Sequence, residues 1–389
     1  FRNTMNVGAA VTISESGIEA SGIGITVANI NGAQIGGRRN IIINGAMQVA
    51  QRGTSSTSEG FVVDRMKTLF NGTDEAPTTS QESISSSDTG PYELGFTKYL
   101  RIRNGNQTGG AGGADYILFR QALEAQNVAN SGWRSQSATS FLTLSFWVRS
   151  DVAQTFYGNI QSVDGTQRNF PFSFTLTANT WTKVIKKIPG NTSPTVDIDN
   201  DNDAGLYIDI WPFAGTNYTS SGVTLESWAT YSSSSRFADN TTTWYTTNDA
   251  IFDVTGMQLE VGTQATAFEH RSFGDELALC QRYFEKTYAQ GTAVGNASNF
   301  SGSYTSRDGT SSSVIRYYPF YYKITKRATP DLTIYNPSTG ATGSCRLDSG
   351  SYSATASSQN DSSVMIYSDD GSPPSHYGIF FHLTMDAEL

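Results

Sequence analysis

The chain is poor in the residues that build catalytic and metal centres. Of its 389 residues only three are histidine (His270, His376, His382) and two are cysteine (Cys280, Cys345). With no CxxC spacing, the cysteines point to neither a disulfide framework nor a zinc site. A hydrolytic nucleophile needs a base within hydrogen-bond reach, usually histidine, and no G-x-S-x-G elbow presents a serine. Charge is also scarce. Charged residues are 16% of the chain, and 26 Lys and Arg against 35 Asp and Glu leave a formal net charge of −9. A nucleic-acid partner would ask for a basic face that releases phosphate counterions, so none is expected. No run approaches the roughly 18 apolar residues of a membrane-spanning helix, and no signal-peptide series occurs. The cluster Gly109-Gly110-Ala111-Gly112-Gly113 neither ends in Lys-Ser/Thr nor follows the dinucleotide fingerprint, so phosphate cradling has no support. The chain opens with Phe1 rather than methionine and is read as a piece of a longer or processed polypeptide.

What is abundant is glycine (37 residues), aromatic side chains (12%) and Ser/Thr/Asn tracts between apolar stretches. That mix suits many short strands joined by polar turns. Val11-Thr12-Ile13, Ile18-Glu19-Ala20 and Gly22–Val27 alternate small or polar residues with β-branched ones. Residues 1–39 cannot bury a core alone and are expected to pair with copies of themselves as the end of a fibrous shaft. Nine strands are expected next: Asn40–Gln48, Tyr99–Arg103, Tyr116–Gln121, Phe141–Arg149, Phe156–Val163, Phe170–Thr177, Thr182–Lys187, Leu206–Ile210 and Ile251–Glu260. Leu142, Leu144, Phe146 and Val148 alternate with Thr143, Ser145 and Trp147, the pattern of a two-sheet sandwich, and nine strands make a jelly roll the natural form.

Near residue 272 the period changes. Ser272 with Asp275 reads as a capping box, and Leu277, Cys280, Phe284 and Tyr288 follow at helical spacing up to Gly291, which predicts an amphipathic helix of about four turns. Beyond it, Val314–Lys323, Asp331–Tyr335, Ser362–Tyr367 and Tyr377–Thr384 are expected strands of a smaller β tip. Pro319 marks an edge strand or a bulge because it donates no ladder hydrogen bond. The expected organisation is thus a shaft end (1–39), a jelly-roll sandwich (40–270), a helical joint (271–290) and a C-terminal β tip (291–389).

Asp197-Ile198-Asp199-Asn200-Asp201-Asn202-Asp203 is the best calcium candidate, since hard cations want several carboxylate oxygens. Counting from Asp199, however, Ala204 and Ile210 stand where an EF-hand needs glycine and glutamate, so a solvated turn is the preferred reading and no metal or cofactor is assigned. His270, His376 and His382 are read as structural, and no catalytic residue is assigned. Lectin-like sites combine an exposed ring with nearby polar side chains. Trp211, Tyr218, Trp228, Tyr231, Trp244 and Tyr245 stand among Gly, Ser, Thr and Asn and are the candidate carbohydrate-binding residues, against the alternative that each plugs the rim of the sandwich. Tyr304, Tyr352, Tyr367 and Tyr377 occupy similar contexts in the tip.

Several phrases read together resemble tail-fibre proteins of marine and other tailed phages. Asn40–Gln48 with Gln51-Arg52-Gly53 and Val63-Asp64-Arg65-Met66 looks like the opening of a domain of that family. Leu144–Ser150 and Thr180-Trp181 resemble its inner strands, which are similar to carbohydrate-binding jelly rolls. The strongest likeness is Val254–Gly262, running on through Ala265–Ser272 and Glu276–Phe284, and Thr384–Leu389 looks like the close of such proteins. The resemblance covers roughly residues 40–290 and describes scaffold. It implies a homotrimeric virion component, in contact with other phage tail proteins, that meets host cell-surface polysaccharide or lipopolysaccharide, and it supplies no ligand residues. In jelly rolls of this kind an acid often follows the opening Asn-Gly strand, whereas Gln48 stands here, which argues against an inherited calcium site. The expected function is a non-enzymatic adhesin at the distal part of a phage tail fibre, gaining avidity by trimerisation. The rival readings are a tail-borne glycan depolymerase using paired carboxylates and a purely structural fibre connector.

Overall fold

The computed structural model describes the backbone of residues 11–14, 17–20, 29–30, 33–34, 39–312, 317–348, 350–368 and 376–389, and side chains within 39–307, 317–348, 350–368 and 378–389. The protein is all-β, with three short helices among the described residues, Ala125–Ala129, Thr243–Thr246 and Phe273–Gln281. None of them is long and apolar enough to cross a membrane.

A jelly-roll sandwich of two antiparallel sheets forms the larger body. One sheet has seven strands in the order Ala229–Thr230, Arg168–Thr175, Thr155–Ser162, Ala204–Ala214, Tyr116–Glu124, Lys67–Asn71 and Gly60–Phe61. The other has six, Thr182–Pro189, Phe141–Ser150, Ile251–Val261, Lys98–Arg103, Thr78–Ser83 and Ser55–Ser56. Successive strands pass back and forth between the sheets, so each long strand turns one row of side chains into a shared core. Leu142, Leu144, Phe146 and Val148 are fully buried and meet Ile117, Phe119, Ile160, Ile208, Ile210 and the phenylalanines at 170, 172 and 174. Period-two alternation predicts this row directly.

The segment Asn40–Gln48 is not the strand its β-branched run predicts. Asn44 and Met47 sit at φ of 61° and 57°, and two asparagine side chains take over the bonding a ladder would have made. Asn40 Nδ2 donates to Met257 O at 3.0 Å while its Oδ1 accepts from the Ile42 and Leu259 amides. Asn44 Nδ2 donates to the carbonyls of Val49 and Asp64, and its Oδ1 accepts from Val49 N. Such local side-chain bonds compete with sheet formation. Gly45 lets the segment close on the sandwich, because a Cβ there would stand 2.0 Å from Met257 O. The phrases around 40–66 and 254–284 are therefore neighbours in space, tied by Glu269 and Arg271 to the backbone of 39–42.

The expected helix is real but shorter. Ser272 caps it, its Oγ accepting from Asp275 N at 3.2 Å, and it ends at Gln281 rather than near Gly291. Phe284–Lys286 is a strand that pairs with His376–Asp386. A spacing of four residues fits both the helical repeat and twice the strand repeat, so Phe284 and Tyr288 could not tell the two apart in sequence. Leu277, Leu279, Cys280 and Tyr283 pack with Ile43, Val49 and Leu389, and Cys345 is buried in the separate terminal cluster.

In the terminal region, His376–Asp386 is the hub. It pairs with Phe284–Lys286, Tyr304–Ser312, Asp331–Tyr335 and Ser344–Leu347. A second sheet holds Tyr318–Tyr321, Ser363–Tyr367 and Thr355–Ser357, with the Pro319 strand at its edge. The predicted stretch Val314–Lys323 thus contributes a strand only over Tyr318–Tyr321, residues 314–316 lying outside the described residues. Charged contacts bind this region to the sandwich: Arg52 to Asp386 at 3.0 Å, Arg65 to Glu388, and Arg282 to Glu124 at 2.7 Å. At the other end, Val11–Ser14 pairs with Gly17–Ala20 and Asn29–Ile30 with Ala33–Gln34. The remainder of the expected shaft, including all of Gly22–Val27, lies outside the described residues.

Candidate functional site

The same alternation that fills the core sends a second set of side chains to the outer face of the seven-stranded sheet. Phe156 and Ile160 point inward, so Tyr157, Asn159 and Gln161 point outward. Leu206, Ile208 and Ile210 point inward, so Tyr207, Asp209 and Trp211 do the reverse. Register then sets Asn159 opposite Asp209, Gln161 opposite both Tyr207 and Asn169, and Arg120 opposite Asp209. Arg120 clasps Asp209 through two bonds of 2.7 and 2.8 Å, and its guanidinium lies 4.1 Å from the centre of the Tyr207 ring. Burial works against the Arg120 charge, yet the hydrogen bonds and charge of Asp209 outweigh it and raise its pKa.

A long connection between Ala214 and Thr243 folds over one half of this face. Phe237 stacks on Tyr157 at 5.2 Å and meets Trp211 edge-on, while Tyr116 and Tyr218 close the other sides of the Trp211 ring. Trp211 Nε1 donates to Asn159 Oδ1 at 2.8 Å. The same connection brings Arg236 to 4.9 Å from the Trp211 ring, with Tyr218 and Tyr231 at 5.4 and 5.7 Å. Asn169 Nδ2 holds the Arg236 carbonyl at 2.7 Å. Beside this roof the partly exposed surface consists of Arg120, Tyr207, Gln167, Tyr231 and Arg236, with Gln161 bonded to Gln167 below. Asn159 Nδ2, Asn169 Oδ1 and Arg236 Nε lack partners there.

The six rings named from sequence fare differently. Trp211, Trp244 and Tyr245 have no exposed surface and Trp228 only 6%. Trp244 Nε1 and Trp228 Nε1 donate to the backbone carbonyls of Ile251 and Pro189, and Tyr245 stacks on Phe213 at 4.2 Å. All four are buried, Trp228, Trp244 and Tyr245 in the sandwich core and Trp211 on the outer face beneath the connection, because polar flanking residues do not keep a ring in solvent when other chain segments cover it; they offer no face for stacking. Tyr218 and Tyr231 are half-buried and belong to the site. Arg120, Asp209, Tyr207, Asn159, Gln161, Asn169 and Arg236 were missed. The available signal was the polar member of each alternating pair within Phe156–Val163 and Leu206–Ile210, strands that were themselves legible. In the tip, Tyr304 stacks on Phe381 at 4.7 Å and Tyr367 meets Tyr317 at 4.9 Å, while the Tyr377 side chain lies outside the described residues.

The outer face of the six-stranded sheet is different in kind. Asp253 accepts from Arg101 and Arg149, Arg149 also reaches Asp88 at 2.7 Å, and Trp181 Nε1 donates to Asp88. Bonds from Ser85, Trp181 and Arg149 overcome the effect of burial and lower the pKa of Asp88. The charges of Arg101, Arg149, Asp88 and Asp253 are matched among themselves, so the network is a strut that holds residues 84–97 on the sheet. A cleft of about 420 Å³ lined by Arg39, Gln126, Asn127 and Glu260 is likewise internally bonded, Glu260 through Thr266 and Gln258.

Among the described residues no three His, Cys, Asp or Glu side chains group to hold a metal ion. The carboxylates at 197–203 are engaged singly, Asp197 by Gln136, Asp201 by the Asp203 amide and Asp203 by Arg327. His270 bonds the Leu94 carbonyl and packs on Phe96 and Phe268. The side chain of His376 lies outside the described residues. His382 is buried between Thr287 Oγ1 at 2.8 Å and the Asn299 carbonyl at 2.9 Å, stacked on Tyr288. Burial lowers its pKa from 6.5, against the opposing Asn299 bond. The unfolded chain then binds more protons than the folded one just below pH 6.5, so stability rises with pH there. Acidification from neutrality through that window is expected to lower the melting temperature, and His382→Gln to remove that increment, as followed by circular dichroism melts.

No protein-family model matches the chain, and no curated protein matches it. Among solved structures it is similar to the enzymatically active domain of bacteriophage CBA120 tailspike protein 4, at 9% identity and a TM-score of 0.31 over 57% of this chain and 21% of that one. The chain thus spans about a fifth of that protein. It is also similar to a putative sugar binding protein from Bacteroides thetaiotaomicron VPI-5482 (12% identity, TM-score 0.30, 57% and 99% covered) and to the N-terminal cellulose-binding domain of Cellulomonas fimi β-1,4-glucanase C (10%, 0.25, 56% and 99%).

Proposed function

We propose that this chain is a non-enzymatic adhesin that binds glycan on the outer face of its seven-stranded sheet, as the distal part of a phage tail fibre. The observation that carries the binding reading is the meeting of Tyr207 and Tyr231 with the guanidinium groups of Arg120 and Arg236 on one partly exposed surface, underlain by the buried amides of Asn159, Gln161 and Asn169. Rings suit the C–H faces of sugars, and fixed guanidinium groups suit their hydroxyls. The tail-fibre assignment is supported by the family phrases at 40–66 and 254–284, and trimerisation would multiply individually weak sugar contacts.

A glycan array probed with the chain is expected to return one class of surface polysaccharide. Tyr231→Ala removes a half-buried ring whose loss leaves no buried polar group unpartnered, so binding should fall about tenfold with little change in melting temperature. Retention of full affinity would place the site elsewhere. Incubation with the bound glycan should release no reducing ends; their release would favour the depolymerase reading.

A further inference from the structure

Arg236 differs from the arginines of the sandwich that hold a carboxylate; Arg168, which also lacks one, is engaged by Thr195 O and Thr230 Oγ1 instead. Arg101, Arg120, Arg149 and Arg282 each hold a carboxylate at 2.7–2.8 Å. Among the described residues no carboxylate lies within ion-pair distance of the Arg236 guanidinium. Asp239, three positions on, is bonded instead by the Thr219 hydroxyl at 2.7 Å. Arg236 is also held in place: its amide donates to Tyr218 O at 2.8 Å, Asn169 bonds its carbonyl, and the three rings of Trp211, Tyr218 and Tyr231 surround its guanidinium. A guanidinium on aromatic faces keeps its fork of donors free for an anion and gives up little hydration to bind one. Its Nε is buried without an acceptor, which leaves the outer nitrogens of the fork to meet a ligand. The chain as a whole carries −9 and repels anions, so an unmatched fixed cation at this spot is a local reversal of sign.

Resting on the glycan-binding reading above, we infer that the ligand of this face is an acidic glycan whose carboxylate or sulfate oxygens are taken by Arg236. Tyr207 and Tyr231 then stack on the sugar rings. The aromatic bed fixes the distance between the charge and the stacked ring.

The test titrates the whole chain with polygalacturonate, chondroitin sulfate, and their carboxyl-reduced and desulfated forms. At least one acidic form is expected to bind at least about tenfold more tightly than its neutralised counterpart. Arg236→Gln should abolish that preference, Arg236→Lys should keep part of it, and the exposed Arg103→Gln should leave it intact. Raising the salt from about 50 to about 500 mM should weaken the acidic ligand far more in the wild type than in Arg236→Gln. Binding of neutral glycans alone, or equal affinity for acidic and neutral forms in a Tyr231-dependent manner, overturns the acidic selection and leaves the glycan face standing. No glycan bound in this panel or on the array overturns both.

Discussion

Replacing Lys326 by methionine is expected to destabilise the protein by about 3–5 kcal/mol, the cost of leaving a buried charge without its partner. Lys326 and Glu285 are both without exposed side-chain surface, 2.6 Å apart. The ammonium also donates to the carbonyls of Gln281 and Ile324, so all three of its protons are engaged. Burial lowers the Lys326 pKa, against the attraction of Glu285. These groups sit where the capped helix ends and the Phe284–Lys286 strand enters the terminal sheet, so losing the ammonium loosens the junction as well as stranding Glu285. Chemical denaturation should show the midpoint drop, and the double variant Glu285→Leu/Lys326→Met should recover more than half of the loss. A single variant that unfolds with the wild type would mean that the pair is hydrated.

Trp211→Ala should cost about 3–5 kcal/mol as well, by a different route. Its ring has no exposed surface and is enclosed by Tyr116, Tyr218, Phe237 and Arg236. Removing it opens a cavity beneath the connection that covers the sheet and deprives Asn159 Oδ1 of its donor. A ligand-stacking tryptophan would behave oppositely, with affinity lost and the melting temperature kept. Thermal melts of Trp211→Ala beside Tyr231→Ala therefore separate support from contact on the same face. The first should lower stability sharply, the second affinity. If Trp211→Ala melts with the wild type, the ring is not buried and the site geometry is wrong.

The sandwich was largely legible because a strand with one buried face writes its period into the sequence. Phe141–Ser150 and Ile251–Val261 extend the predicted Phe141–Arg149 and Ile251–Glu260 by one residue each at the C-terminal end. Asp331–Tyr335 is found as expected, and Pro319 stands on an edge strand. Thr78–Ser83 and Ser344–Leu347 escape the sequence reading because their polar content hides alternation, although both pair with strands close in the chain. Asn40–Gln48 was misread for the opposite reason: its β-branched run is clear, but asparagine bonds to residues more than 200 positions away decide its conformation.

The candidate site shows the same division. Tyr231 and Tyr218 could be named from their polar surroundings, yet so could Trp211, Trp228, Trp244 and Tyr245, which the fold buries. Whether a ring in a polar stretch faces solvent depends on what lies across from it, and Phe237 and Arg236 reach Trp211 only through the folded connection. By itself the sequence determined the all-β class, most strands of the sandwich and the capped helix start, because these follow from local period and capping chemistry. Only the tertiary structure decided that Arg120 is neutralised by Asp209 while Arg236 is left unmatched beside it, because ion pairing depends on strand register and loop placement, which no local pattern records.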